Sequence, residues 1–303
     1  MMRKYVPLLL IAISASLWGC IAIFVRGMAD IGFTPMEVVA VRVAIAAIAL
    51  ALIGLVKYRS QMAIRLKDIW LFIGTGIFSI VFFNWCYFTA LNMMDVSLAV
   101  ILLYTAPIFV SILSYIFFKE KFTKIKVAAV VGTFIGCVLV AGFRGEAASA
   151  GFIGVLTGLG AGIGYALYSI FGKAALSKYK PFTITFYTFF IAAVFLVPLT
   201  RLWERQEIVF SNEGILYGAG LGIIPTVVAY FLYTKGLEST DSSTAAIIAT
   251  VEPIVATMLG VFLYSEGIGI LQLLGSAIIL FSVSISNIDL SNFRSNRKRL
   301  QSM

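Results

Sequence analysis

Ten membrane-spanning helices arranged as two inverted five-helix repeats is the fold class this sequence predicts, and three observations predict it. The first is composition: of 303 residues, 61% are hydrophobic and 12% charged, whereas soluble domains run near 45 to 50% apolar with about 25% charge. The second is the grouping of those apolar residues into runs of roughly 20, each long enough to cross the roughly 30 Å hydrocarbon core as a helix. A transmembrane β-barrel would show shorter, alternating segments. The third is a repeat: Ile101 to Glu120, ILLYTAPIFVSILSYIFFKE, returns 146 residues later as Ile247 to Glu266, IIATVEPIVATMLGVFLYSE.

In order, the spans are expected near residues 5–25, 35–56, 69–91, 95–118, 126–143, 151–172, 181–200, 214–234, 242–264 and 267–287. Connections are short, and no soluble domain fits between them. Cytoplasmic loops near span ends are enriched in Lys and Arg. With the N-terminus in the cytoplasm, the inner segments hold 18 of the 23 basic residues, including Lys57, Arg59, Lys119, Lys121, Lys124 and Lys126. The outer segments hold Arg26, Arg144, Arg201 and Arg205, and Arg42 is the one basic residue inside a span. Both termini are therefore expected inside a bacterial-type plasma membrane. Arg3 and Lys4 ahead of the first run imitate a cleaved leader, but that run has a counterpart later in the chain and is expected to be retained.

The net charge of +9 lies in loops and not on a soluble face, which argues against nucleic acid as a partner. Cys20, Cys86 and Cys137 each fall inside apolar runs, and the chain has no His. That argues against a disulfide framework or a metal site as the organising chemistry, and no cofactor is expected.

The repeat extends well beyond the opening pair. At the same offset Gly74 matches Gly220, Gly76 Gly222, Tyr87 Tyr233, Asp95 Asp241, Ser97 Ser243, Pro107 Pro253 and Glu120 Glu266; at 147, Trp18 matches Tyr165 and Phe24 Phe171. The expected units are 1–145 and 146–290, followed by a basic cytoplasmic tail, 291–303. Five spans is an odd number, so the second unit enters the membrane with opposite polarity. The loops agree: KEKFTKIK after the fourth span is basic, whereas its counterpart SEGIGI carries no basic residue.

Inverted repeats that meet at the bilayer midplane are an architecture of secondary transporters, since rocking one half on the other exposes a central site to alternate sides. The candidate chemistry lies at that depth. Glu252 is about 16 to 18 Å from either end of its helix. An uncompensated carboxylate is costly there, so it is read as a proton-coupling or substrate-amine site, or as a structural carboxyl bonded to a carbonyl freed by Pro253. Pro107 and Pro253 remove a backbone donor at matched positions and are expected to kink their helices as paired hinges. Pro198 and Pro225 are read as ordinary kinks. Arg42 is expected to form a structural ion pair with Glu37, with Asp30 or the substrate as other partners. Trp18, Asn84, Tyr87, Tyr104, Tyr165 and Tyr230 are candidates to line a substrate cavity, with Tyr168 and Tyr233 beside them. Gly132 and Gly136 form a GxxxG that serves close packing or dimerisation, so a monomer and a homodimer both stay open.

With those residues in view, the chain resembles the EamA-type transporters of the drug/metabolite transporter superfamily. Trp18 and Gly19, Glu37 and Arg42, Tyr87 with Ala90 and Leu91, and the P-x12-E pairs Pro107/Glu120 and Pro253/Glu266 carry the likeness. The resemblance implies a central cavity lined mainly by spans one, three, four, six, eight and nine, and export or exchange of small metabolites. An amino acid or related compound is the expected substrate, protons a possible coupling ion through Glu252, and the lipid bilayer the surroundings. A channel without ion coupling is the competing class; an enzyme is not expected, for want of a nucleophile with a base. Ala106, opposite Glu252 in the repeat, puts any two-carboxylate mechanism in doubt.

Overall fold

The computed structural model of the chain describes residues 2–121, 123–142, 151–265 and 267–286, with side chains from Tyr5 onward. The spans are α1 (Tyr5–Asp30), α2 (Pro35–Lys57), α3 (Leu66–Met93), α4 (Val96–Phe118), α5 (Lys124–Ala141), α6 (Phe152–Leu176), α7 (Pro181–Leu199), α8 (Asn212–Leu237), α9 (Ser242–Tyr264) and the shorter α10 (Ile270–Ser286). Among the described residues all regular structure is helical, as lipid demands of segments that must satisfy their own backbone groups. Glu266, Arg144, the join between the two units and the tail 291–303 lie outside the described residues.

Local chemistry sets the helix ends. The Thr34 side chain accepts the Glu37 N–H while Glu37 accepts the Thr34 N–H, and Pro35 opens α2 where its missing donor costs nothing. Lys119 and Ser265, one repeat apart, close α4 and α9 in the same left-handed conformation, φ 56° and 53°.

The packing expresses the inverted repeat. α5 packs on α10 and α2 on α7, each on its own counterpart, while α1 packs on α8 as α6 packs on α3. Paired glycines allow these crossings. Gly74 lies under Phe171, and its mate Gly220 under Phe24, which is the mate of Phe171. A Cβ on Gly76 would lie 2.8 Å from the Thr188 carbonyl oxygen, and one on Gly222 would lie 2.6 Å from Ile45. Gly132 and Gly136 are used within the chain, against Ser282, Gly275 and Ile279 of α10, so this GxxxG carries no argument for a dimer.

The structure departs from the expected regular helices at matched places. α3 is π-helical over Gly74–Val81 and α8 over Ile223–Val228. Pro225 lies inside the second stretch and is not an ordinary kink: the Thr226 hydroxyl, 2.7 Å from the Leu221 carbonyl, occupies an acceptor in the widened turn. Pro198 lies in the last turn of α7, where it bends nothing further. Side chains such as Leu52, Val56, Phe117, Val194 and Phe262 are exposed on the outer surface, as a lipid-facing surface requires.

Candidate functional site

The two repeated prolines do more than kink their helices: both helices are broken. α4 divides at Tyr104–Thr105 into Val96–Leu103 and Ala106–Phe118, and α9 at Thr250–Val251 into Ser242–Ala249 and Glu252–Tyr264. Tyr104 (φ −75°, ψ 9°) and its mate Thr250 (φ −69°, ψ 2°) share one turn conformation. Each proline therefore sits in the first turn of an inner or outer half-helix, where no N–H is required of it. The hydroxyls of Thr105 and Thr250 donate to carbonyls of the preceding turn, Leu102 at 2.5 Å and Ile247 at 2.6 Å, which also accept the backbone N–H of the same two residues at 3.2 Å, and so close the turn at each break. In α9 this arrangement makes Glu252 the first residue of a half-helix, with its carboxylate at the positive end of the helix dipole.

Aromatic side chains from α1, α6 and α8 converge beside that break. The Trp18 ring lies 5.0 Å from Tyr230, 5.1 Å from Tyr233 and 6.0 Å from Tyr165. The Tyr165 hydroxyl donates to Glu252 Oε2 at 3.1 Å. Tyr168 and Tyr233 are occupied elsewhere, each 2.7 Å from a hydroxyl, that of Thr234 and that of Ser169. Trp18, Ser79, Phe83, Tyr165, Tyr168 and Tyr230 help line a cavity of about 10 Å³. A second of about 10 Å³ lies between the two breaks, lined by Tyr104, Pro107, Tyr165 and Thr250. Each has room for about one water. Gly19 allows α1 to reach this centre: a Cβ there would lie 2.9 Å from Val255 Cβ and 3.0 Å from the Glu252 carbonyl oxygen.

The structure thus gathers Trp18, Tyr165, Tyr230 and Glu252 at one point, and Tyr87 and Tyr104 lie within electrostatic reach of the Glu252 carboxyl. Asn84 is not among the residues lining either cavity, and its amide donates to the Ile80 carbonyl of its own helix at 2.7 Å. The expected Arg42–Glu37 pair is corrected. Glu37 pairs with Arg205, 3.2 Å away, because five residues turn a helix through about 140° and point the two side chains to different faces. Arg42 turns inward against Tyr230 and is 5% exposed. Sequence reasoning did not single out Ser79, Phe83 or Ser169, which carry no charge or repeat signal to mark them.

Around this centre the two repeats meet unequally. Ser242–Ala249 packs on Ala106–Phe118 and on α6, whereas their repeat mates, Glu252–Tyr264 and Val96–Leu103, form no comparable packed contact among the described residues. The closed side is also tied by polar groups. The Glu120 carboxylate accepts the N–H of Ser242 at 2.7 Å, the N–H of Ser243 at 3.2 Å and the Ser243 hydroxyl at 2.8 Å. Lys126 pairs with Asp241 at 2.8 Å. This is a helix N-terminus capped by a carboxylate from another helix's loop.

The sequence profile of the EamA-like transporter family matches residues 6–142 and again 152–288. The chain belongs to the EamA-like transporter family. An uncharacterized transporter of Archaeoglobus fulgidus is 28% identical over 292 residues, spanning 94% of this chain and 98% of the relative. A second from that organism is 30% identical over 200 residues, 66% of this chain and 70% of the relative. The uncharacterized transporter YwfM of Bacillus subtilis is 30% identical over 205 residues, 66% of this chain and 67% of the relative. A solved crystal structure with 19% identity superposes with a TM-score of 0.77 over 93% of this chain and 96% of that chain, a likeness of fold. As an EamA-like protein the chain is a multi-pass membrane transporter.

Proposed function

We propose that this EamA-like protein is a secondary transporter that moves a small metabolite, an amino acid or related compound, across the plasma membrane by alternating access, in the direction of export. The observation that carries the reading is the pair of broken helices between repeats that pack on one side and not on the other. Rocking one repeat on its mate would exchange the packed and unpacked halves, and the breaks in α4 and α9 are the natural pivots. The placement of basic residues makes the packed side, with Glu120 and Lys126, cytoplasmic, so this conformation faces outward with both termini inside. The units are then residues 1–145 and 146–290, with 291–303 as a basic cytoplasmic tail.

Glu252 is assigned the coupling role. It is the carboxyl at the broken centre, it is held by Tyr165, and it lies where substrate would pass. A proton or a substrate ammonium group compensates its charge, and alternation of the two couples transport to the proton gradient. Because Ala106 occupies the matching place in the first repeat, one carboxyl serves both orientations.

The test is transport in proteoliposomes. The wild-type protein is expected to show saturable counterflow, with a rate that depends on pH. Glu252→Gln is expected to retain exchange but lose proton-driven accumulation and most of the pH dependence; unchanged rate and pH profile would remove Glu252 from coupling. Flux that never saturates and shows no counterflow would identify a channel instead.

A further inference from the structure

Two buried side chains at the centre carry donor nitrogens with no partner. Arg42 is 5% exposed, and neither its Nε nor its Nη2 meets an acceptor; Trp18 is 6% exposed, and its indole Nε1 meets none. Buried polar groups are nearly always paired, because an unmet donor in a low-dielectric interior is costly. These two belong to one place. Arg42 lies against the Tyr230 hydroxyl, the Tyr230 ring lies 5.0 Å from that of Trp18, and both rings line the central cavity. Across it, Tyr165 holds Glu252, and the two charges lie within electrostatic reach of each other.

The repeat separates what packing needs from what it does not. At the matching position in α7 the chain has Thr188, whose hydroxyl is satisfied by Thr75 at 2.6 Å. The backbone crossing is the same in both halves: Gly222 packs on the Arg42 carbonyl and Ile45 as Gly76 packs on the Thr188 carbonyl and Ile191. The fold therefore builds this crossing without a cation in one half and, in the other, keeps one with two unmet donor nitrogens. Glu252 against Ala106 is the same kind of departure. The charged residues of the centre are thus places where the two halves differ.

We infer that Arg42 and the Trp18 indole form an anion subsite of the transport site, one that selects solutes bearing a carboxylate. A guanidinium presents a flat fork of donors that fits the two oxygens of a carboxylate, with the indole N–H as a further donor. A single negative charge suits the site, since Glu252 nearby would oppose a phosphate dianion. The inference rests on the transporter reading above and adds to it the group by which the substrate is chosen.

The experiment uses the purified full chain in proteoliposomes. Each of the twenty natural L-amino acids is tested for counterflow, and the best is then compared with its decarboxylated amine and its carboxamide as competitors. In wild type, loss of the carboxylate is expected to weaken competition at least tenfold. Arg42→Gln is expected to weaken the amino acid about tenfold while the amine competes as in wild type, so that the preference disappears. Arg42→Lys, which keeps the charge but not the fork, recovers part of the preference and carries the test if Arg42→Gln does not fold. Trp18→Phe lowers the preference about threefold. An unchanged preference in Arg42→Gln, or an equal loss for amino acid and amine, overturns the subsite. Counterflow of the amine in preference to the amino acid by wild type overturns the subsite and leaves the transporter standing; no counterflow of any probe removes both.

Discussion

Trp18 and Gly19 show how much work two adjacent residues do at the centre. The indole reaches across to Tyr165 and Tyr230, while the missing side chain at Gly19 lets α1 approach the half-helix that begins at Glu252. Gly19→Val is expected to drive that half-helix away, at a cost of about 1 to 3 kcal/mol for overpacking. Thermal melting should fall by several degrees and transport at least tenfold, with Gly19→Ala between the two; a Gly19→Val protein that melts and transports as wild type does would show that the close approach is dispensable. Tyr165→Phe removes the hydroxyl that holds Glu252. It is expected to reduce counterflow several-fold with little change in melting, because a hydrogen bond to a charged group is worth about 1.5 to 3 kcal/mol but only while the group is charged.

At the scale of elements, the breaks in α4 and α9 and the capped end of α9 govern the arrangement. Glu120 reaches from the end of α4 to three donors at the start of α9 and supports only the packed side. Glu120→Ala is expected to cost about 1 to 2 kcal/mol, the scale of a lost cap, read as a lower melting temperature. α5 and α10 meet through Gly136 and Gly275, whose backbones lie too close for a side chain between them. Gly136→Leu should therefore lower expression and melting strongly without altering the oligomeric state on size-exclusion chromatography. A change from dimer to monomer would contradict the intrachain use of this motif.

Over the whole molecule, one side is packed and the other is not, which the proposed cycle reads as an outward-facing state. In a cysteine-free background, Val251→Cys at the break is expected to react with a membrane-impermeant thiol reagent added from outside. Ala246→Cys, buried on the packed side, is expected to stay protected. Adding Glu120→Ala should raise labelling of Ala246→Cys from the cytoplasmic face. Equal labelling of both positions in the parent protein would argue against a closed inner side.

Much of this was readable in the chain. The apolar runs, the 146-residue repeat and the odd number of spans per unit determine ten helices in two inverted halves, because lipid leaves the backbone few options. The repeat also picked out Pro107, Pro253 and the solitary Glu252. What only the tertiary structure decided is which groups meet. A proline announces a lost hydrogen bond, but whether the helix bends or breaks depends on neighbours such as Thr105 and Thr250, whose N–H and hydroxyl both bond one carbonyl of the preceding turn and tighten it. Nearness in sequence suggested Glu37 for Arg42, whereas the helical turn sends Glu37 to Arg205 and Arg42 to the centre. Pattern fixes how each helix faces lipid, but the partners of a buried charge come from other helices, and only folding brings those together.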